Sequence, residues 1–444
     1  MSVSLAEARA LDAADPIAGY RGLFALPPGV VYLDGNSLGA LPLGTASRLG
    51  EVIRKEWGEG LVRSWNSADW IGLPRKVGAM IAPLIGARAD EVIACDSTSV
   101  NLYKLIAAAL MMRSGRKVVL SEPGNFPTDL YLIAGLEAQG RAEKRLAARD
   151  QLETALDEDV ALLLLTHVHY KTGAMHDMAR LTEAAHAAGA LVLWDLSHSA
   201  GAVPVDLNGC EADLAVGCGY KYFNGGPGAP AFAFVAERHQ AALQQPLTGW
   251  MSHAAPFAFA DDYAPAAGID RLLTGTPPIL GMAALEEGVR IIAEIGIERL
   301  VAKSRALSEF LRRCIEEALP SPLQGRGGSA AGAEGEGQVA IRPPLPTLSP
   351  EGERAMGLEF ISPTEPAARG SQLSYRHPEA YAVSQALIGR GVIPDFREPD
   401  VLRLGLAPAY LRFEDCWHAA QALGEVLASG EWERPEFRQR LAVT

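Results

Sequence analysis

One stretch of this chain leaves little freedom in what it can fold into. Ala161-Leu162-Leu163-Leu164-Leu165 is a short apolar run, and Leu191-Val192-Leu193-Trp194 is a second. Between them Ala179 to Ala188 is built of good helix formers and stopped by Gly189. Strand, helix and strand within about 30 residues make a βαβ unit, and strands that are apolar without alternation belong in a parallel sheet covered on both faces. The expected fold class is therefore α/β, with a mostly parallel central sheet. Side chains that carry chemistry gather at the carboxyl ends of such strands, where Thr166 and Asp195 stand.

The 444 residues, 48% of them apolar, allow a large core and two or three domains. Residues 1–44 are turn-rich, with a tight loop at Asp34-Gly35-Asn36-Ser37-Leu38-Gly39, and are expected to pack on the smaller domain. Residues 45–283 form the large α/β domain. Residues 284–444 form a smaller α+β C-terminal domain, entered through a long amphipathic helical connection over 284–319. Within it, 324–354 is rich in Gly, Pro, Ser and Glu and reads as a flexible surface insertion.

A formal net charge of −13 gives no basic field to hold a phosphate backbone or an anionic membrane, so neither nucleic acid nor membrane is an expected partner. No apolar run approaches the roughly 20 residues of a membrane helix, and the first residues lack a signal-peptide pattern. Five scattered cysteines without ligand spacing suit a reducing cytoplasm and a protein without structural zinc. A cytoplasmic location and no metal are the expectation.

Three segments carry the chemistry. Asp96-Ser97-Thr98-Ser99 precedes a strong helix sequence, and hydroxyls at a helix N-terminus favour a phosphate, although the same residues also serve as an ordinary cap. Asp195 closes an apolar strand, where a carboxylate can pair with a pyridinium nitrogen or cap the next turn. His198 follows in a Ser-His-Ser-Ala-Gly loop, where a lone histidine is commonly a local hydrogen-bonding residue. Lys221 lies in Gly219-Tyr220-Lys221-Tyr222-Phe223-Asn224-Gly225-Gly226, among aromatics and glycines that exclude water and let a ligand approach the backbone. A desolvated lysine has a lowered pKa, and its neutral amine attacks an aldehyde. Taken with Asp195, Lys221 is the expected anchor, by a Schiff base, of pyridoxal 5′-phosphate.

The same blocks, with Tyr32 to Gly39, Asn125-Phe126-Pro127-Thr128-Asp129, Gly249-Trp250-Met251, Gly275 to Pro278 and Asp395-Phe396-Arg397, resemble the kynureninases in order and spacing over about residues 15–430. These are pyridoxal-phosphate enzymes of fold type I, the aspartate aminotransferase-like superfamily. The resemblance implies that Thr98 and Ser99 hold the phosphate with Tyr220 and Trp250, and that Phe126 stacks on the ring. It places Asp195 and Asp129 near the pyridine nitrogen, with Thr166 and His198 beside them. Trp250 and Thr276 would come from a neighbouring subunit, making the enzyme a homodimer with shared sites. Arg403 would grip the substrate α-carboxylate, and Ser37 and Trp65 would line the aromatic end of the pocket.

The activity so implied is hydrolysis of L-kynurenine to anthranilate and L-alanine, or of 3-hydroxykynurenine to 3-hydroxyanthranilate, in tryptophan catabolism or NAD biosynthesis. Lys221 would serve as the base at the α-carbon and Tyr220 as the proton carrier near the phosphate. Ser252, Pro394 and Ala409 stand where the family usually has other residues, each beside a site residue. Two alternatives remain open here: another fold type I enzyme, such as a cysteine desulfurase or an aminotransferase, and a non-catalytic scaffold. A cysteine desulfurase needs a mobile nucleophilic thiol, whereas Cys314 and Cys416 lie in helix-like stretches. A non-catalytic scaffold would be expected to lose Lys221 or its partners.

Overall fold

The computed structural model describes residues 3–319 and 357–440. The expected insertion at 324–354 lies outside them. A seven-stranded sheet organises the larger part of the molecule. In chain order its strands are Val92–Ala94 (β1), Val118–Ser121 (β2), Glu143–Leu146 (β3), Val160–Thr166 (β4), Leu191–Asp195 (β5), Leu214–Gly217 (β6) and Phe232–Val235 (β7). Their spatial order is β1-β7-β6-β5-β4-β2-β3. Only β7 runs antiparallel to its neighbours; the other pairs are parallel.

Every residue of β4 and β5 is buried, which is why both read as unbroken apolar runs. The helix between them, Met178–Ala187, is capped by Asp177, which accepts a hydrogen bond from the Arg180 N–H at 3.1 Å, and ends before Gly189 at φ +75°. Thr166 lies directly opposite Asp195 in the β4–β5 register. Because β1 also points the same way as β2 through β6, the chain leaves all six strands on one edge of the sheet. That edge collects the segments after Ala94, Ser121, Thr166, Asp195 and Gly217.

A second sheet, of Glu359–Phe360, Gln372–Arg376, Val401–Gly405 and Asp395–Arg397 in that order, is antiparallel throughout. Helix Ala380–Gly389 packs against its last two strands, and helix Phe413–Ser429 packs on Ile297–Ala318 and on Ala380–Gly389. The N-terminal segment is stitched to this part of the chain. Val31 and Tyr32 pair in parallel with Val392 and Ile393, the Gly405 N–H donates to the Leu33 carbonyl at 2.7 Å, and Lys303 pairs with Asp15 at 2.7 Å with both side chains buried. The helical connection expected over 284–319 is built of two helices, Ile279–Ile295 and Ile297–Ala318. Gly296, at φ +84°, ends the first and opens the second, a turn that glycine makes without steric cost.

At the opposite edge of the sheet, Asp213 is buried and accepts hydrogen bonds from His186 (2.8 Å), His239 (2.7 Å), Arg238 (2.7 Å) and the Val192 N–H (2.9 Å). Burial pushes this carboxyl up, but the hydrogen bonds more than offset it and hold it down at about 2. A depressed carboxyl stabilises the fold fully above its unfolded value near 3.9, and the gain is lost as pH falls through the folded value. The difference corresponds to about 3 kcal/mol. Asp213→Asn is expected to lower the thermal midpoint at neutral pH and to flatten the fall in stability between about pH 4 and pH 2, measured by calorimetry across that range. An unchanged acid profile would show that Asp213 is not a main carrier of acid lability.

Candidate active site

The edge where the parallel strands end holds two carboxyl groups from different segments. Asp195 closes β5, and one of its oxygens accepts the Ser197 N–H at 2.7 Å. Asp129 stands in the first turn of helix Pro127–Ala138, which begins with proline where no N–H donor is needed. It accepts a hydrogen bond from the Asn125 amide at 3.5 Å and lies 3.4 Å from the Thr166 hydroxyl. Asn125 ties the loop together, because its carbonyl also accepts from the Phe126 N–H at 2.9 Å and from the Thr166 hydroxyl.

Burial raises both carboxyls. The charge of Asp195 raises Asp129 further, while the Ser197 hydrogen bond and Lys221 partly oppose the rise at Asp195. The Oδ1 atom of Asp129 is buried and has no hydrogen-bond partner. Such an oxygen is costly unless a donor reaches it, and a protonated ring nitrogen has the right chemistry to do so.

Lys221 follows β6 in a tight turn closed by the Asn224 N–H donating to the Lys221 carbonyl at 2.9 Å. Its Nζ lies 3.1 Å from Nε2 of His198 and 5.7 and 5.9 Å from the ring centres of Phe126 and Tyr220. Burial first, and the positive charge of Lys221 second, push His198 well below its usual value, so its ring stays neutral. The loop carrying Ser37 is fastened to the same turn, since the Gly39 N–H donates to the Tyr220 carbonyl at 2.8 Å. A Cβ on Gly39 would run into the Lys221 carbonyl and Asn224.

Thr98 opens the 15-residue helix Thr98–Met112, which Ser97 caps by accepting the Val100 N–H at 3.3 Å. Ser99 is exposed beside it. The Thr98 hydroxyl meets the Cys218 thiol at 3.2 Å, and that thiol meets the Ser197 hydroxyl at 3.1 Å. Asp96 and the fully buried Lys104 form an ion pair beneath this turn. Burial and the neighbouring Cys218 raise the Tyr220 hydroxyl, so it keeps its proton at neutral pH.

Arg403 is fully buried on Val401–Gly405. It donates to the Tyr170 carbonyl at 2.6 Å, to the Ser37 hydroxyl at 2.7 Å and to Asp395, while its Nε has no partner. Arg397 pairs with Asp395 at 2.9 Å and donates to Ser37 at 3.1 Å. Ser37, expected at the aromatic end of the pocket, therefore stands between two guanidinium groups. Ser37, Phe126, Tyr170, His198, Lys221 and Arg403 line one cleft of about 540 Å3.

Of the expected site residues, Thr98, Ser99, Asp129, Thr166 and Asp195 are not among those that line this cleft, and three more have their contacts elsewhere in the chain. Trp65 packs edge-on against Trp70 at 5.9 Å. Trp250 is 36% exposed and packs on Phe257 and Phe259, and Thr276 is exposed. Conversely, Asn125, Cys218, Asp395 and Arg397 belong to this arrangement but had no role in the sequence reading. Asn125, Asp395 and Arg397 stand in blocks that carry the family resemblance, and Cys218 adjoins the lysine turn; those were the available signals.

Comparison with known proteins gives the arrangement its family. A model described as the kynureninase C-terminal domain matches residues 347–423, and one described as aminotransferase class-V matches residues 72–322. Kynureninases of Burkholderia mallei (strain SAVP1) and Pseudomonas fluorescens are 48% and 44% identical to this chain, covering 99% and 98% of it and equal shares of their own lengths. The chain belongs to the kynureninase family.

As a kynureninase-family member it is an enzyme that hydrolyses a carbon–carbon bond, with a small-molecule substrate and pyridoxal phosphate as cofactor. Solved structures show the same fold at low identity. The apo cysteine desulfurase of Thermococcus onnurineus NA1 superimposes with a TM-score of 0.73 at 17% identity, covering 93% of this chain and 98% of that one. A C-DES mutant described with glycine covalently linked to its cofactor does so at 0.72 and 16%, covering 91% and 98%. The departures from the kynureninase pattern are accommodated locally. Ser252 is buried and donates to the Gly249 carbonyl at 2.8 Å, and Pro394 and Ala409 are buried. Among the described residues no helix is long and apolar enough to cross a membrane.

Proposed function

We propose that this chain hydrolyses L-kynurenine, and 3-hydroxykynurenine where the ring is accepted, to anthranilate or 3-hydroxyanthranilate and L-alanine. The observation that carries the reading is one cleft with a lysine amine at its floor and a buried arginine on its wall, the latter with an unpartnered Nε. An α-amino acid needs both, an amine-exchanging anchor and a fork for its carboxylate.

Pyridoxal phosphate fits the residues present. Lys221 would carry it, Thr98, Ser99 and Tyr220 would hold its phosphate, and Phe126 would cover its ring. Asp195 and Asp129, supported by Thr166 and Asn125, would face its nitrogen, the orphaned Asp129 oxygen taking the N–H. Bound there, it supplies the electron sink that stabilises negative charge on the substrate α-carbon.

The chain's own groups do the remaining work. Arg403 fixes the carboxylate and so orients the α-hydrogen toward Lys221. Lys221, released to act as a base, removes that proton from the α-carbon. Neutral His198 beside it adds no second positive charge. Tyr220 keeps its hydroxyl proton and can donate it to the oxygen that becomes anionic when water adds to the substrate's γ-carbonyl. The phenyl face of Phe126 and the buried walls exclude bulk water from the rest of the path.

The reading includes a homodimer in the cytoplasm. Leu41, Leu43, Trp57, Leu61, Val62 and the Trp250-Phe257-Phe259 cluster are exposed apolar groups of a kind that a subunit interface covers. In that dimer Trp250 and Thr276 reach the partner's phosphate site, and Trp65 the aromatic end of a pocket. The proposed domain division, 1–44, 45–283 and 284–444, leaves the cleft between the two larger units. Adding L-kynurenine to the protein loaded with cofactor is expected to release the fluorescence of anthranilate with one equivalent of alanine. A protein that binds the cofactor yet forms neither product would overturn the function. Sedimentation of the same sample should give twice the chain mass.

A further inference from the structure

The arginine end of the cleft has an unusual charge balance. Arg403 and Arg397 bring two positive charges, and Asp395 and Asp34 bring two negative ones. All four surround Ser37, and Asp34 faces Tyr32, Tyr222 and Tyr410 as well. With the four groups ionised, the cluster is neutral before any substrate arrives. A substrate carboxylate would be the third anion against two cations in a largely buried space, where like charges are poorly screened.

One of the resident carboxyls is far less committed to its charge than the other. Asp395 receives both guanidinium groups and the Ser37 hydroxyl at 3.3 Å. Asp34 is stitched by its backbone, with the Ser37 N–H donating to its carbonyl at 2.9 Å; Ser37 and the two arginines also favour its charged form, but its side-chain Oδ1 is buried without a partner. Ser37 has a single hydroxyl proton and cannot donate to both carboxyls at once.

Resting on the function proposed above, we propose that Asp34 is a positioning residue for the substrate carboxylate, taking up one proton from solvent as that carboxylate enters between the arginines. The only bond made is the O–H of Asp34, and the cluster returns to neutrality with the substrate anion replacing that of Asp34. Burial, and then the charge of Asp395, already push Asp34 up to about 7, so the cost of protonating it is small near neutral pH. Below that value the proton is already present, and above it binding must recruit one. The dissociation constant should then rise by up to about tenfold per pH unit above neutrality.

The test uses the cofactor-loaded enzyme and 4-(2-aminophenyl)-4-oxobutanoate, the proposed substrate without its α-amino group, which keeps the carboxylate but cannot displace Lys221. Calorimetry in two buffers of different ionisation enthalpy counts protons. Close to one proton should be taken up per probe at about pH 8.5 and almost none at about pH 5.5. The methyl ester of the probe should show no such uptake. Asp34→Asn should abolish the uptake and remove the rise in dissociation constant above neutrality. Equal uptake in the wild type and the variant, or none in the wild type, would overturn the proposal. Should the variant misfold, the infrared difference spectrum of the wild type at alkaline pH decides: a new protonated-carboxyl band on probe binding supports Asp34's role, and its absence overturns it. Failure of the probe to bind at any pH would instead overturn the carboxylate pocket and the function built on it.

Discussion

Replacing Lys221 with alanine is expected to reduce anthranilate formation by about 10^4-fold or more, since the side chain serves as cofactor anchor and as base at the α-carbon. The substitution removes the 3.1 Å hydrogen bond to His198, while the carboxyl groups nearby keep their own partners. Asp195 remains held by the Ser197 N–H and Asp129 by Asn125. The variant should therefore fold, with a circular-dichroism spectrum like that of the parent. A small primary amine added to the assay should restore part of the rate by supplying the missing base. Retention of a tenth of the parent activity without added amine would sink the assignment.

The second large effect is expected at Arg403. Its guanidinium is fully buried, so Arg403→Gln removes the fork for the substrate carboxylate and leaves Asp395 with Arg397 as its remaining cation. Truncating one partner of a buried charged pair costs about 2–5 kcal/mol, or roughly 30-fold to 5,000-fold in kcat/KM. The loss should fall mainly on KM, because the lysine and the carboxyl pair stay in place. It should also be specific: a substrate analogue lacking the α-carboxylate, poor with the parent enzyme, should be no poorer with the variant. A variant impaired equally toward both would show that Arg403 acts through the fold and not through the carboxylate.

Much of this was legible in the residues, and the reason is physical. Parallel strands buried on both faces write themselves as apolar runs, and their ends mark an edge where polar groups are conspicuous; hence Thr166, Asp195 and the turn around Lys221 stood out. The buried Asp129 was found only through resemblance, since an acidic residue in the first turn of a helix is unremarkable by itself. Asn125 and Cys218 escaped because what distinguishes them is convergence: each meets groups distant in the chain. Ser37 shows the same limit differently. Its loop was recognised, but nothing local says that it lies between Arg397 and Arg403. Gly296 was missed as a helix boundary because the apolar periodicity continues on both sides of it.

The hydrogen bond from Arg403 to Ser37 joins residues 366 positions apart, and that from Gly39 to the Tyr220 carbonyl fastens the same loop to the lysine turn. Contacts of such long sequence separation close late, after the elements they join have formed, because a large loop entropy must first be overcome. A chain still missing the strand of Arg403 can build most of the large sheet but cannot complete the seat for an amino acid. Acquisition of the cleft is thus a late, whole-chain event in folding. Recovery of amino-acid binding after denaturation should lag behind recovery of helical signal, and the length of that lag measures how long the two ends of the chain take to meet.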